Sequence, residues 1–143
     1  EKFKELVTLL AAPVVLIGGK EDNPLGIELE KIHPERIFNA AGKMSLNESA
    51  VLLKKASTVI THDTGMMHIA AAFQKKIISI WGNTVPEFGM YPYLNDKNKS
   101  SFIVIENNSL SCRPCSKIGF DKCPKGHFKC MEDLDLGGIE NAL

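Results

Sequence analysis

The 143-residue sequence carries no net charge, because 17 Lys and Arg balance 17 Asp and Glu. A chain so balanced exerts no general pull on nucleic acid or on an anionic membrane, and nucleic acid is not expected as a partner. No apolar run approaches the ~20 residues that cross a bilayer, so no transmembrane segment is expected. The first residues lack both an initiator Met and the pattern of a signal peptide. There is no internal repeat and no low-complexity tract. Cysteine is sparse, with four residues confined to the last quarter of the chain.

What is present fits a globular α/β protein. Apolar residues make up 44%, and the length suits one domain with a real core. Residues 1–143 therefore read as a single domain and as a piece of a longer protein. The chain opens within an amphipathic helix bearing Phe3, Leu6, Val7 and Leu10 on one face, and the residues before Leu143 read as the start of another.

Five short runs rich in β-branched residues predict strands: Val14–Ile17, Ile37–Asn39, Thr58–Thr61, Ile77–Ile80 and Phe102–Ile105. Runs apolar at nearly every position suit a parallel sheet covered on both faces. Helical segments alternate with them. Asn23-Pro24 places a capping residue before a proline, with Leu25, Leu29 and Ile32 following. Ser45-Leu46-Asn47-Glu48 has the form of a capping box, and Leu46, Ala50, Leu53 and Ala56 form an apolar stripe. Gly65–Phe73 is apolar almost throughout and predicts a buried helix. The alternation gives a Rossmann-like parallel sheet with helices on both faces. Residues 107–131 read as an irregular, cysteine-containing segment.

In such a sheet, ligands bind beyond the carboxyl ends of the strands. Three strand ends carry suggestive residues: Gly18-Gly19, His62-Asp63-Thr64-Gly65 and Trp81-Gly82-Asn83. The middle turn leads straight into a helix, so the amides of Thr64, Gly65 and Met66 are expected to face a phosphate. Gly65 permits close approach, having no side chain. Asp63 either caps the helix or bonds a sugar hydroxyl, since a carboxylate beside a phosphate is repulsive. His68 is read either as a buried core histidine or as a donor to a diphosphate. Phe88 and Met90–Tyr93 either line a cleft or pack locally. Basic residues outnumber acidic ones from Lys97 to Cys130, as a solvated surface or as a lip facing a phosphorylated ligand.

The stretch Gly42-Lys43-Met44-Ser45-Leu46, then Ala56–Val59, then Asp63-Thr64-Gly65-Met66-Met67-His68-Ile69-Ala70-Ala71-Ala72 resembles glycosyltransferase family 9, the heptosyltransferases acting on lipopolysaccharide. The resemblance covers roughly residues 1–106. It implies the C-terminal, donor-binding half of a GT-B fold, and an inverting sugar transfer in which this half alone is inactive. The implied donor is a nucleotide-diphosphate sugar such as ADP-heptose, and the acceptor a glycolipid held by a domain absent from this chain. By the same resemblance, Thr64 and Gly65 hold the diphosphate, Asp63 and His68 contact the donor, and Met44 packs on adenine. Gly19 with Asp22 or Glu21 matches a glycine turn and its acidic contact to ribose. Asn83 stands in a loop where family members often have Gly-Pro-Thr-Asp-Pro, and the missing aspartate bears on sugar specificity. The catalytic base belongs to the absent domain and no cofactor is needed for the step. The implied location is cytoplasmic, peripheral to the inner membrane.

Cys112, Cys115, Cys123 and Cys130 cluster around His127. The first pair has the C-x2-C spacing of a zinc knuckle, while the second is looser. A structural zinc on the four cysteines, with His127 as a substitute for one, competes with disulfides and with free thiols. Two rival functions remain beside the transferase: a nucleotide-sugar epimerase on the same architecture, and a zinc-stabilised interaction module.

Overall fold

A computed structural model describes residues 1–140 and Leu143. The chain runs α1 (Lys2–Leu9), β1 (Val14–Leu16), α2 (Asn23–Glu30), β2 (Ile37–Asn39), α3 (Leu46–Lys55) and β3 (Thr58–Thr61). It continues with α4 (Gly65–Ala72), β4 (Lys76–Trp81), β5 (Phe102–Glu106) and α5 (Lys129–Glu132). All five expected strands form. The helix start expected before Leu143 involves Asn141 and Ala142, which lie outside the described residues.

Every strand pairing is parallel, but the strands form two ladders rather than one continuous sheet. β1 pairs with β2, and β4 lies between β3 and β5. Side chains rather than ladder bonds join the two parts. Val14 of β1 packs between two apolar clusters, and Ile17 packs on the cluster that contains Met67.

The alternation of side chains along β4 divides the core into two layers. Ile77 and Trp81 face one side with Val59, Leu53, Met67, Ala70 and Ala71, so α3 and α4 cover that face. Ile78 and Ile80 face the other side, where Leu6 and Leu10 meet Leu134, Leu136 and Ile139. Residues 134–139 thus cover a sheet face without being helical. Ser79, fully buried, accepts a hydrogen bond from Trp81 Nε1 at 2.7 Å, which satisfies the indole.

Several helix details differ from the sequence reading. Asn23 is the first residue of α2 rather than its cap, and its side chain is turned to Asn39 instead. Leu25 is exposed, because Gly26 and Leu29 supply the buried face. The Ser45–Glu48 capping box forms as expected. Leu46 is exposed, however, and the α3 contact is made by Ser49 and Leu53. α4 is buried on one side only: Met67, Ala70 and Ala71 face the core, while Gly65, His68 and Ala72 are exposed. Residues 107–128 carry no helix or strand.

Candidate functional site at the carboxyl rim of the strands

The register pairs Thr61 with Ser79 in parallel strands, so His62–Gly65 and Gly82–Asn83 leave the sheet on one rim. Thr64 is the N-cap of α4, with extended backbone and no side-chain capping bond. Its hydroxyl lies 3.2 Å from that of Thr61, which fixes the turn. The Met67 amide already donates to the Thr64 carbonyl at 3.0 Å. Among the described residues nothing accepts from the amides of Gly65 and Met66. A side-chain carbon placed on Gly65 would have no atom within 4 Å. The helix start therefore offers two free donors, the positive end of a helix dipole, and open space before them.

Asp63 is exposed and does not cap α4. Of the two sequence readings, the cap is overturned, because Thr64 stands between Asp63 and the first helical residue. His68 is exposed on the second turn, so it is not a buried core histidine. Met66 is half-buried against the α3–α4 cluster, leaving its backbone as the part facing outward.

A second group gathers after β1 and β2. The Gly19 amide donates to Asp22 Oδ2 at 2.9 Å, which closes a short 3-10 turn over Lys20–Asp22. The Gly42 amide donates to the Gly18 carbonyl at 3.0 Å and ties the loop holding Met44 to this turn. Gly42 has φ +70°, and an added carbon would lie 2.8 Å from Lys20 Cα, so the close approach requires glycine. Met44 is partly exposed. No hydrogen bond links this group to the Asp63–His68 turn among the described residues.

Asn83 is engaged within the protein, since its Nδ2 donates to the Phe120 carbonyl at 2.8 Å and its carbonyl accepts from the Cys115 amide at 2.9 Å. The aromatic residues near it divide. Tyr91 packs edge-on against Phe102 and donates to Glu87, while Tyr93 stands almost fully exposed. An open polar groove of ≈ 560 Å³ lies beyond β5 and is lined by Glu106, Asn108, Lys129, Asp133 and Asp135, with no candidate donor residue in it.

Two residues without a role in the sequence reading, Arg113 and Asn39, and His62, named there only as part of a strand end, hold the rim together. Arg113 donates to the carbonyls of Gly82 and Thr84 and pairs with Glu106 at 2.6 Å. Buried Asn39 donates to Asn23 Oδ1 at 2.9 Å and accepts from the Ala41 amide at 3.0 Å, which fixes the start of the Met44 loop. His62 Nδ1 lies 3.0 Å from the Ile80 carbonyl and its ring meets Phe3 edge-on. A lone Arg, Asn or His in a polar stretch gives no periodic signal, and only the fold shows what each reaches.

No disulfide joins the four cysteines. Cys112 Sγ lies 3.8 Å from His127 Nε2. His127 Nδ1 accepts from the Lys129 amide at 3.1 Å. Burial pushes the Cys115 and Cys130 thiols up, with neighbouring thiolates adding to the effect. The Phe128 backbone amide, foremost among several, holds Cys123 down. Among the described residues, no three His, Cys, Asp or Glu side chains converge on a formed metal position.

A parallel α/β layer structure whose free helix start lies at the carboxyl rim defines the class as a Rossmann-like α/β fold. Within that class the chain belongs to glycosyltransferase family 9 (heptosyltransferase), whose family model matches residues 1–119. It is 34% identical over 122 residues to lipooligosaccharide heptosyltransferase 2 of Haemophilus influenzae, covering 82% of this chain and 34% of that protein. It is 32% identical over 79 residues to lipopolysaccharide heptosyltransferase 2 of Escherichia coli, covering 52% of this chain and 23% of that one. The chain thus spans about a third or less of these relatives. Two solved structures share the fold. The Escherichia coli ADP-heptose lipopolysaccharide heptosyltransferase II aligns with TM-score 0.61 and 22% identity, covering 92% of this chain and 39% of that one. A family 9 glycosyltransferase from Veillonella parvula aligns with TM-score 0.68 and 21% identity, covering 99% and 37%.

Proposed function

We propose that this chain is the donor-binding half of an inverting heptosyltransferase that takes a nucleotide-diphosphate sugar of the ADP-heptose kind. The observation that carries the reading is the pair of unengaged amides at Gly65 and Met66, facing open space at the carboxyl rim. Family membership favours transfer over epimerisation or a purely structural module.

In this reading the diphosphate sits on the start of α4. His68, exposed one turn on, donates to a phosphate oxygen, and Asp63 and Asp22 accept from donor hydroxyls. Met44 packs on the base. The acceptor hydroxyl oxygen bonds to the anomeric carbon as the carbon–oxygen bond to the diphosphate breaks. The bonding pair leaves with the nucleoside diphosphate, and the acceptor proton passes to a base on a domain outside this chain. Charge grows on the leaving group where the amides already point, which lowers the barrier. The glycolipid acceptor and a cytoplasmic location peripheral to the inner membrane belong to the same proposal.

Titrating ADP into the protein that carries this chain tests it. Wild type should bind, and Gly65→Val should lose at least about tenfold in affinity, or ~1.4 kcal/mol. Its melting temperature should hold, because a Cβ added at Gly65 has no neighbouring atom within 4 Å. No response to ADP in wild type, or equal binding by Gly65→Val, would refute the donor site.

A structural zinc on Cys112, Cys115, Cys123 and Cys130 is a separate proposal, and no reaction step runs through it. Its support is the donor set alone, four cysteines without a disulfide in one segment; the side chains must draw together to close on a metal. Metal analysis of protein purified without added zinc should find it bound and lost in Cys112→Ser. A metal-free protein with unchanged melting excludes it.

A further inference from the structure

The segment after Cys115 combines two features that the donor site does not use. Ile118 is 86% exposed and Phe120 49% exposed, two positions apart on one loop. Lys117, Lys122 and Lys125 flank them, all exposed. Three lysines against Asp121 leave this loop at +2 in a chain whose total charge is zero.

The loop is also held. Asn83 Nδ2 donates to the Phe120 carbonyl, and Ser116 Oγ donates to the Gly119 carbonyl at 3.0 Å. A carbon added to Gly119, at φ +81°, would lie 2.7 Å from Asn83 Oδ1, so the loop presses directly on the residues that follow β4. Its backbone is fixed at the carboxyl rim while Ile118 stands almost wholly exposed and Phe120 half-exposed. Two exposed apolar side chains ringed by lysines match the boundary of an anionic bilayer: the apolar groups enter the acyl boundary and the ammonium groups meet lipid phosphates.

We propose that the Lys117–Lys125 loop docks the protein on an anionic phospholipid surface, with Ile118 and Phe120 inserted. Attachment by so small an anchor is weak and reversible. Because the loop is fastened to Asn83, docking brings the carboxyl rim to the membrane, where an acceptor carried by a lipid lies. The surface does not depend on nucleotide binding, so the two proposals can fail separately.

Vesicle flotation of the protein that carries this chain tests it, using phosphatidylcholine vesicles and vesicles containing phosphatidylglycerol. The protein should float with the anionic vesicles only, and high salt should release it. Replacing Lys117, Lys122 and Lys125 by Glu should lower partitioning at least about tenfold, since each lysine near such a surface is worth roughly a fivefold factor. Ile118→Asp with Phe120→Ser should abolish it. ADP binding should be the same in all variants, which separates a failed membrane surface from a failed donor site. Absence of flotation, equal binding to both vesicle types, or binding indifferent to both variants overturns the proposal. If wild type ignores vesicles and Ile118→Asp instead lowers the melting temperature, the patch is a protein contact and the proposal falls.

Discussion

Arg113 and Glu106 form an ion pair at 2.6 Å in which the arginine side chain is only 3% exposed. The guanidinium spends its other protons on the carbonyls of Gly82, Thr84 and Asn107 and on Asn108 Oδ1. One side chain thus joins the end of β5, the loop after β4 and the cysteine segment. Arg113→Ala removes the charge and leaves a carboxylate and three carbonyls without their partner. The expected cost is about 3–5 kcal/mol, the range for breaking a buried pair from one side. Arg113→Lys should recover part of it, because an ammonium keeps the charge but not the fork. Urea unfolding checks both, and a loss under ~1 kcal/mol for Arg113→Ala, the scale of one ordinary hydrogen bond, would contradict this role.

Gly26 lies against buried Asn39, and an added carbon would come within 2.5 Å of Asn39 Cγ. Gly26→Ala should therefore cost ~1–3 kcal/mol through overpacking. It should also weaken ADP binding, because Asn39 fixes the start of the Met44 loop. Calorimetry on the variant reads both effects. Lost stability with unchanged affinity would separate the Met44 loop from the donor.

Much of the fold was legible, because β-branched runs and capping residues act locally. Ser45 and Glu48 are three apart, so their reciprocal bonds follow from spacing alone. The free helix start at Gly65 was legible for the same reason: a turn that runs from a strand into a helix exposes amides wherever it occurs. Burial of particular helix faces was not, since it depends on which neighbour arrives. α4 reads as uniformly apolar, yet only Met67, Ala70 and Ala71 meet the sheet. The break between β1 and β3 was equally hidden, because strand propensity says nothing of which ladder a strand joins. Arg113 and Asn39 act over 29–31 and 16 positions of sequence, and no local pattern marks them.

The α3 cap predicts a pH dependence. The Ser45 backbone amide, and then its hydroxyl, hold the Glu48 carboxyl below its usual 4.5. A folded value below the unfolded one means that the cap contributes fully above pH 4.5 and is lost as pH falls through the folded value. Glu48→Ala should thus melt slightly below wild type at neutral pH, and the gap should close in acid. Thermal melts across that range check it. A gap that widens in acid would reverse the sign and exclude the cap as its source.

Thiol reactivity should rank the cysteines. Only the thiolate attacks an alkylating agent, so accessibility and acidity act together. Cys123 is half-exposed and held down by the Phe128 amide, whereas Cys130 is buried and pushed up by that burial. Cys115 is also pushed up, first by burial and then by the charges of Cys112 and Cys123. Iodoacetamide in the presence of a chelator should label Cys123 before Cys115, and Cys130 last, as read by mass spectrometry of quenched samples. In urea the ranking should collapse, because backbone donors and burial both vanish with the fold. If Cys130 reacts as fast as Cys123 in the folded protein, the last turn does not seal that thiol beneath Gly82 as the structure has it.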